Sequence, residues 1–133
     1  MVHGFGQCSD VFFEMALHLA LNGFIVHMVD LDGFGYSGGK RIAGLRIERM
    51  HAQVTSLLTE ARADLPLFLL GHSMGCLVVN SYLGFNPKIA QQLAGVIFSA
   101  PLYGVPDFAN MDPVKKAVIK AIGPLLEDFV MIS

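Results

Sequence analysis

The stretch Pro66-Leu67-Phe68-Leu69-Leu70-Gly71-His72-Ser73-Met74-Gly75 constrains the fold more than any other part of the chain. A short apolar segment runs straight into the pentapeptide Gly71-His72-Ser73-Met74-Gly75. A helical pattern carrying Leu77, Val78, Tyr82 and Leu83 follows at once. A G-x-S-x-G sequence in that setting puts its serine on a tight strand-to-helix turn, with the hydroxyl clear of the sheet. Such a turn is crowded, so Gly71 and Gly75 stand where a Cβ has no room. The first turn of the following helix has unpaired N–H groups. The N–H of Met74 is therefore expected to face negative charge developing on an acyl group attacked by Ser73. A glycine-rich turn with an incidental serine would show the same five letters. The strand before it and the helix after it separate this instance from that one.

The rest of the chain repeats the alternation. Residues 24–29 (FIVHMV), 67–70 and 96–99 are short apolar runs, read as strands buried on both faces, the habit of parallel sheets. Residues 1–3 read as the end of another strand. Between them lie helical patterns. Ser9 or Asp10 is expected to cap a helix running to about Leu21, stopped by Asn22-Gly23. Ile47, Met50, Val54, Leu57, Leu58 and Ala61 mark one face of a second helix. Strands alternating with helices predict an α/β fold: a mostly parallel central sheet, flanked by helices and joined by right-handed crossovers.

A second loop belongs with the serine. His3-Gly4-Phe5-Gly6 ends the first strand, and loops at the ends of neighbouring strands with opposite onward connections form a ligand crevice. The backbone N–H of Phe5 is the expected second oxyanion donor, beside that of Met74. A simple His3-Gly4 turn is the plainer alternative.

Composition narrows the classes. The chain has 133 residues, 53% hydrophobic and 15% charged, where about 25% charged is usual. No run reaches the ~18 apolar residues of a spanning helix, so the apolar excess points to buried strands and to surfaces that meet something else. The net charge of −2 comes with no basic run, which argues against nucleic acid as a partner. Cys8 and Cys76 make no disulfide framework and are read as packing residues. No signal-peptide pattern opens the chain, so a cytoplasmic location is expected, with peripheral membrane association left open. No metal or cofactor is expected.

After residue 103 the character changes. Residues 99–106 read as loop, and Asp112-Pro113 as a helix start. Val114, Ala117, Val118, Ala121 and Ile122 form an apolar face. Gly123-Pro124 interrupts it, and Leu125, Leu126, Phe129 and Val130 continue. A packing helix and a lid over an apolar site both fit.

HGFG (3–6), DLDGFGYSGG (30–39), PLFLLGHSMG (66–75) and GVIFSAP (95–101), taken together and in this order, resemble monoacylglycerol lipases. The wider group is the serine aminopeptidase and lysophospholipase-like α/β-hydrolases. The resemblance spans residues 1 to about 103 and implies a partial α/β-hydrolase core there, with 104–133 as the beginning of a cap. It implies a sheet ordered second, first, third, fourth strand. It makes Ser73 the nucleophile, Phe5 and Met74 the oxyanion donors, and a small lipid or carboxylic ester, such as an acylglycerol or lysophospholipid, the substrate. His3 resembles the loop-bracing histidine of HG motifs. Asp30 and Asp32 are read as organisers of their loop. Asp32 and Cys76 depart from the family's usual residues at their positions, and neither removes a catalytic atom.

The family's order is serine, acid, histidine. All five histidines here, His3, His18, His27, His51 and His72, lie at or before Ser73. Neither triad acid nor base is assigned. Asp107, Asp112, Glu127 and Asp128 are acids by type only. The expectation is the front part of a longer fold, without its first and C-terminal strands, nearly inactive by itself, with sheet edges open to self-association. Two rivals stay open: a non-catalytic binding module of the same fold, and a peptidase or thioesterase.

Overall fold

The computed structural model describes residues 1–41, 45–102 and 112–114. A 3₁₀ turn at Ser9–Phe12 leads into helix α1 (Phe13–Leu21). Helix α2 (Ile47–Thr59), strand β1 (Phe68–His72), helix α3 (Met74–Phe85), the one-turn helix α4 (Pro87–Ala90) and strand β2 (Gly95–Ser99) follow.

The sheet is parallel. Strand β1 pairs with β2 in register from Phe68 opposite Gly95 to His72 opposite Ser99. Val2 forms parallel bridges to both Val29 and Gly71. Its N–H donates to Leu70 O at 2.8 Å, and its carbonyl accepts His72 N–H at 3.0 Å. Reading across, the order is the 24–29 segment, the first segment, β1, β2, as expected. This order brings the loop after Val2 beside the end of β1.

Two strand expectations change. The 24–29 segment contributes a single bridge, Val29 to Val2, with the Met1 amine donating to His27 O beside it at 2.6 Å. Strand β2 is not buried on both faces: Ile97 is 48% exposed. Among the described residues it pairs on one side only, and α3 touches it through the Cys76 thiol, 3.4 Å from Ser99 O. The helix-start expectation also changes. Cys8 occupies the N-cap with no side-chain cap bond, while the Ser9 N–H is held by Asp30 Oδ1 at 2.6 Å.

Helix α3 packs on β1, and α2 packs on α3. Met50 and Val54 of α2, Val78, Val79 and Tyr82 of α3, and Val2, Leu31 and Leu69 close one core. Each fully buried valine there contributes about 1.5–3 kcal/mol relative to exposure. Apart from buried Ala16, α1 is largely exposed. Of the expected cap segment, only 112–114 is described. Asp112 Oδ1 accepts the Val114 N–H at 2.8 Å, the bond of an N-cap. The apolar face proposed for 117–130 lies outside the described residues.

Candidate active site

Ser73 sits at the N-cap of α3 with φ 51° and ψ −115°. This is left-handed backbone that L-residues seldom adopt. The sequence enforces the shape from both sides. A Cβ on Gly71 would stand 2.7 Å from Gly75 O, and one on Gly75 would collide with Val2 O and His3 O. The helix can therefore approach the first segment only without those side chains. Ser73 N–H donates to Ser99 O at 2.9 Å, while Ser73 O accepts the N–H groups of Cys76 (3.0 Å) and Leu102 (3.2 Å). Its Oγ has no hydrogen-bond partner among the described residues.

The His3–Gly6 loop lies against this serine: a Cβ on Gly4 would stand 3.0 Å from Ser73 Cβ. Gly4 O is held by His3 Nδ1 at 2.8 Å and by Gln7 N–H at 3.3 Å. The Gly4 N–H donates to Gln7 Oε1 at 2.9 Å. In a trans peptide the C=O and N–H point opposite ways. Fixing Gly4 O thus turns the Phe5 N–H away from His3 and Gln7. No protein acceptor takes the N–H of Phe5 or of Met74 among the described residues. The sequence reading missed Gln7, whose part is visible only once the loop has closed on itself.

His3 is fully buried and uses both ring nitrogens. Nδ1–H donates to Gly4 O, and Nε2 accepts the Leu31 N–H at 2.9 Å. Burial pulls its pKa below the ordinary value, against weaker upward pulls from the Gly4 bond and the Asp30 charge. The ring is a neutral brace joining the two loops. Asp30 braces the same region. Burial alone would raise its carboxyl, but bonds from Ser9 and Tyr36 N–H, with His3 nearby, leave it below the usual range. Asp32 takes an ion pair from Arg49 at 3.3 Å. Asp30 organises its loop, as read from the sequence, whereas the Asp32 side chain ties that loop to helix α2 through Arg49.

The other histidines point elsewhere. His72 Nδ1 lies 3.1 Å from Ser99 Oγ, and its ring stands edge-on to Phe12. His51 Nε2 meets Ser81 Oγ at 2.7 Å between α2 and α3. His18 is on exposed α1, and His27 precedes Val29. Asp107, Glu127 and Asp128 lie outside the described residues, and Asp112 caps its own turn. Cys76 is buried, its thiol on Gly71 O at 3.0 Å, and burial pushes its pKa up. Among the described residues no group of three or more His, Cys, Asp or Glu converges on a metal position. No described helix is long and apolar enough to cross a membrane. A groove of about 220 Å³ lies between residues 23–27 and 61–68, at the opposite ends of the strands from Ser73.

A model of the family described as serine aminopeptidase, S33, matches residues 1–131. The chain belongs to the serine aminopeptidase S33 family. It is 28% identical over 128 residues to a monoacylglycerol lipase of Mycolicibacterium smegmatis, an alignment covering 94% of this chain and 44% of that one. It is 32% identical over 108 residues to a monoglyceride lipase of Saccharomyces cerevisiae, covering 77% and 34%. An extracellular α/β-hydrolase from a Paenibacillus species superposes with a TM-score of 0.69 at 15% identity, over 99% of this chain and 53% of that one. This S33 chain thus has a partial α/β-hydrolase fold and spans less than half the length of those two lipases.

Proposed function

We propose that Ser73 is the nucleophile of a hydrolase acting on carboxylic esters of the monoacylglycerol or lysophospholipid kind. The observation carrying this reading is the left-handed Ser73 backbone directly against the Gly4 loop. Ser73 Oγ attacks the ester carbonyl carbon and gives its proton to a general base. The Phe5 and Met74 N–H groups hold the oxyanion, the alcohol leaves with a proton, and water releases the acid from the acyl-serine. The lipase relatives favour an acylglycerol as substrate. The apolar 104–133 segment is proposed as the start of a cap, with peripheral contact to a lipid surface. The exposed edge of β2 is proposed to self-associate, which a sedimentation series over concentration tests.

The histidine rings with bonded nitrogens face partners other than Ser73, and no histidine follows it. The 133 residues alone are therefore expected to be nearly inactive, since an unassisted serine hydroxyl is a poor nucleophile. A fluorophosphonate probe tests both statements. Slow labelling confined to Ser73 and lost in Ser73→Ala is expected. Labelling that persists in Ser73→Ala sinks the nucleophile; rapid labelling sinks the inactivity. The family's description favours a second reading, a peptidase. In a protein carrying the activity, preference for aminoacyl amides over monoacylglycerols would establish it.

A further inference from the structure

Among the described residues only two non-glycines have positive φ: Ser73 at 51° and Ala100 at 45°. They are neighbours in space. The last pair of the β1–β2 ladder is His72 with Ser99, so each strained residue is the next one along its own strand. The turn around Ala100 grips Ser73 on both sides. Ser99 O accepts the Ser73 N–H at 2.9 Å, and the Leu102 N–H donates to Ser73 O at 3.2 Å. Between these two bonds stand only Ala100 and Pro101. Pro101 has no N–H and a fixed φ, and it narrows the conformations open to the residue before it.

The second bond bears on chemistry. Ser73 O belongs to the same peptide unit as the Met74 N–H. The two point in opposite directions across a trans peptide. Leu102 N–H and Cys76 N–H, both drawing on Ser73 O, therefore aim the Met74 N–H away from themselves. A non-glycine residue held in a sparsely populated region persists only where surrounding contacts over-determine it. Here Ser99 and Leu102, on either side of strained Ala100, supply the restraint on Ser73.

We infer that residues 99–102 form a hook that holds Ser73 in its left-handed conformation and aims the Met74 N–H, with Ala100 as the positioning residue. The functional half of this inference rests on Ser73 being the reacting group; the hook itself does not. Nothing in Ser99-Ala100-Pro101 marks it in sequence, since the residue at positive φ is an alanine.

Two substitutions at exposed Ala100 test it. Ala100→Gly tolerates positive φ, whereas Ala100→Val sets a β-branched side chain where it is a genuine outlier. By NMR, Ala100→Gly should keep the Ser73 HN–Hα coupling and the protection of the Ser73 and Leu102 amides. Ala100→Val should change the coupling and speed exchange of those two amides at least about tenfold, while α2 and α3 stay protected. With the fluorophosphonate, Ala100→Val should lower the rate at saturating probe and leave the half-saturating concentration unchanged; Ala100→Gly should label as the parent does. Unchanged coupling and protection in Ala100→Val, or equal losses in the glycine variant, overturn the hook. Absence of labelling in every version, with the exchange difference intact, refutes the nucleophile and not the hook.

Discussion

His3→Ala is the substitution whose cost can be worked most fully. The ring is fully buried and stands edge-on to Phe34 with centroids 5.5 Å apart. Removing it leaves the Leu31 N–H without its acceptor, a buried orphan worth about 1–3 kcal/mol. Gly4 O loses one of its two donors, about 0.5–1.5 kcal/mol. The void adds about 24 cal/mol for each Å³ that does not collapse. With a void that largely collapses, these come to about 2–5 kcal/mol, a large fraction of the 5–15 kcal/mol typical of a domain. At about 4 °C per kcal/mol for a chain of this size, the melting midpoint should fall by roughly 8–20 °C. Thermal and urea melts followed by circular dichroism measure it, with exposed His18→Ala as the control, expected within about 0.5 kcal/mol of the parent. The pH dependence gives a second arm. Because folding lowers the His3 pKa below 6.5, the unfolded chain binds a proton there that the folded chain refuses. The contribution is full above pH 6.5 and is lost as pH falls through the lowered pKa, with a steepest slope of about 1.36 kcal/mol per pH unit. His51, lowered chiefly by burial, adds to the same window, while the Met1 ammonium, lowered by burial from 8.0 to about 6, acts at higher pH, its contribution full above pH 8 and lost as pH falls toward 6. His3→Ala should therefore flatten the slope without abolishing it. A midpoint within 3 °C of the parent (roughly 1 kcal/mol), or an unchanged acid slope, would refute the bracing argument.

Two further outcomes are expected. Gly75→Ala places a methyl group against Val2 O and His3 O, backbone atoms that cannot rotate away, so it should destabilise by about 1–3 kcal/mol or more; calorimetry against Gly84→Ala, whose added Cβ meets nothing within 4 Å, isolates the clash. Cys76, buried with its thiol pKa raised by desolvation, should resist iodoacetamide in the folded chain and react on unfolding, while half-buried Cys8 reacts first; mass spectrometry of timed samples reads the order.

Much of the candidate site was legible in the residues. The elbow was readable because its constraints are local: an apolar run of strand length, two glycines where a Cβ collides, and a helical pattern behind them. Helices α2 and α3 were readable from the spacing of Met50, Val54, Val78 and Tyr82. The 24–29 segment was over-read. Its apolar letters fit a strand, yet ladder pairing depends on a neighbour, and among the described residues only Val29 forms a bridge. The cap at Ser9 or Asp10 failed for a similar reason. The donor such a cap competes for is tied to Asp30, 21 residues away, which no local rule weighs. Strand β2 has the composition of a buried strand, but exposure depends on what lies over it.

What the sequence by itself determined was the strand–turn–helix around Ser73 and the loop of His3 and Gly4, because sterics and hydrogen bonding within five or six residues decide both. Only the tertiary structure decided how these pieces meet. Val2 had to lie between Val29 and Gly71 before His3 could brace Leu31, 28 residues away, and before Gly4 could reach Ser73. The turn at Ala100 joins them because two parallel strands end side by side. Contacts of that kind follow from sheet order, which arises when distant apolar segments bury one another and leaves no mark on any single segment.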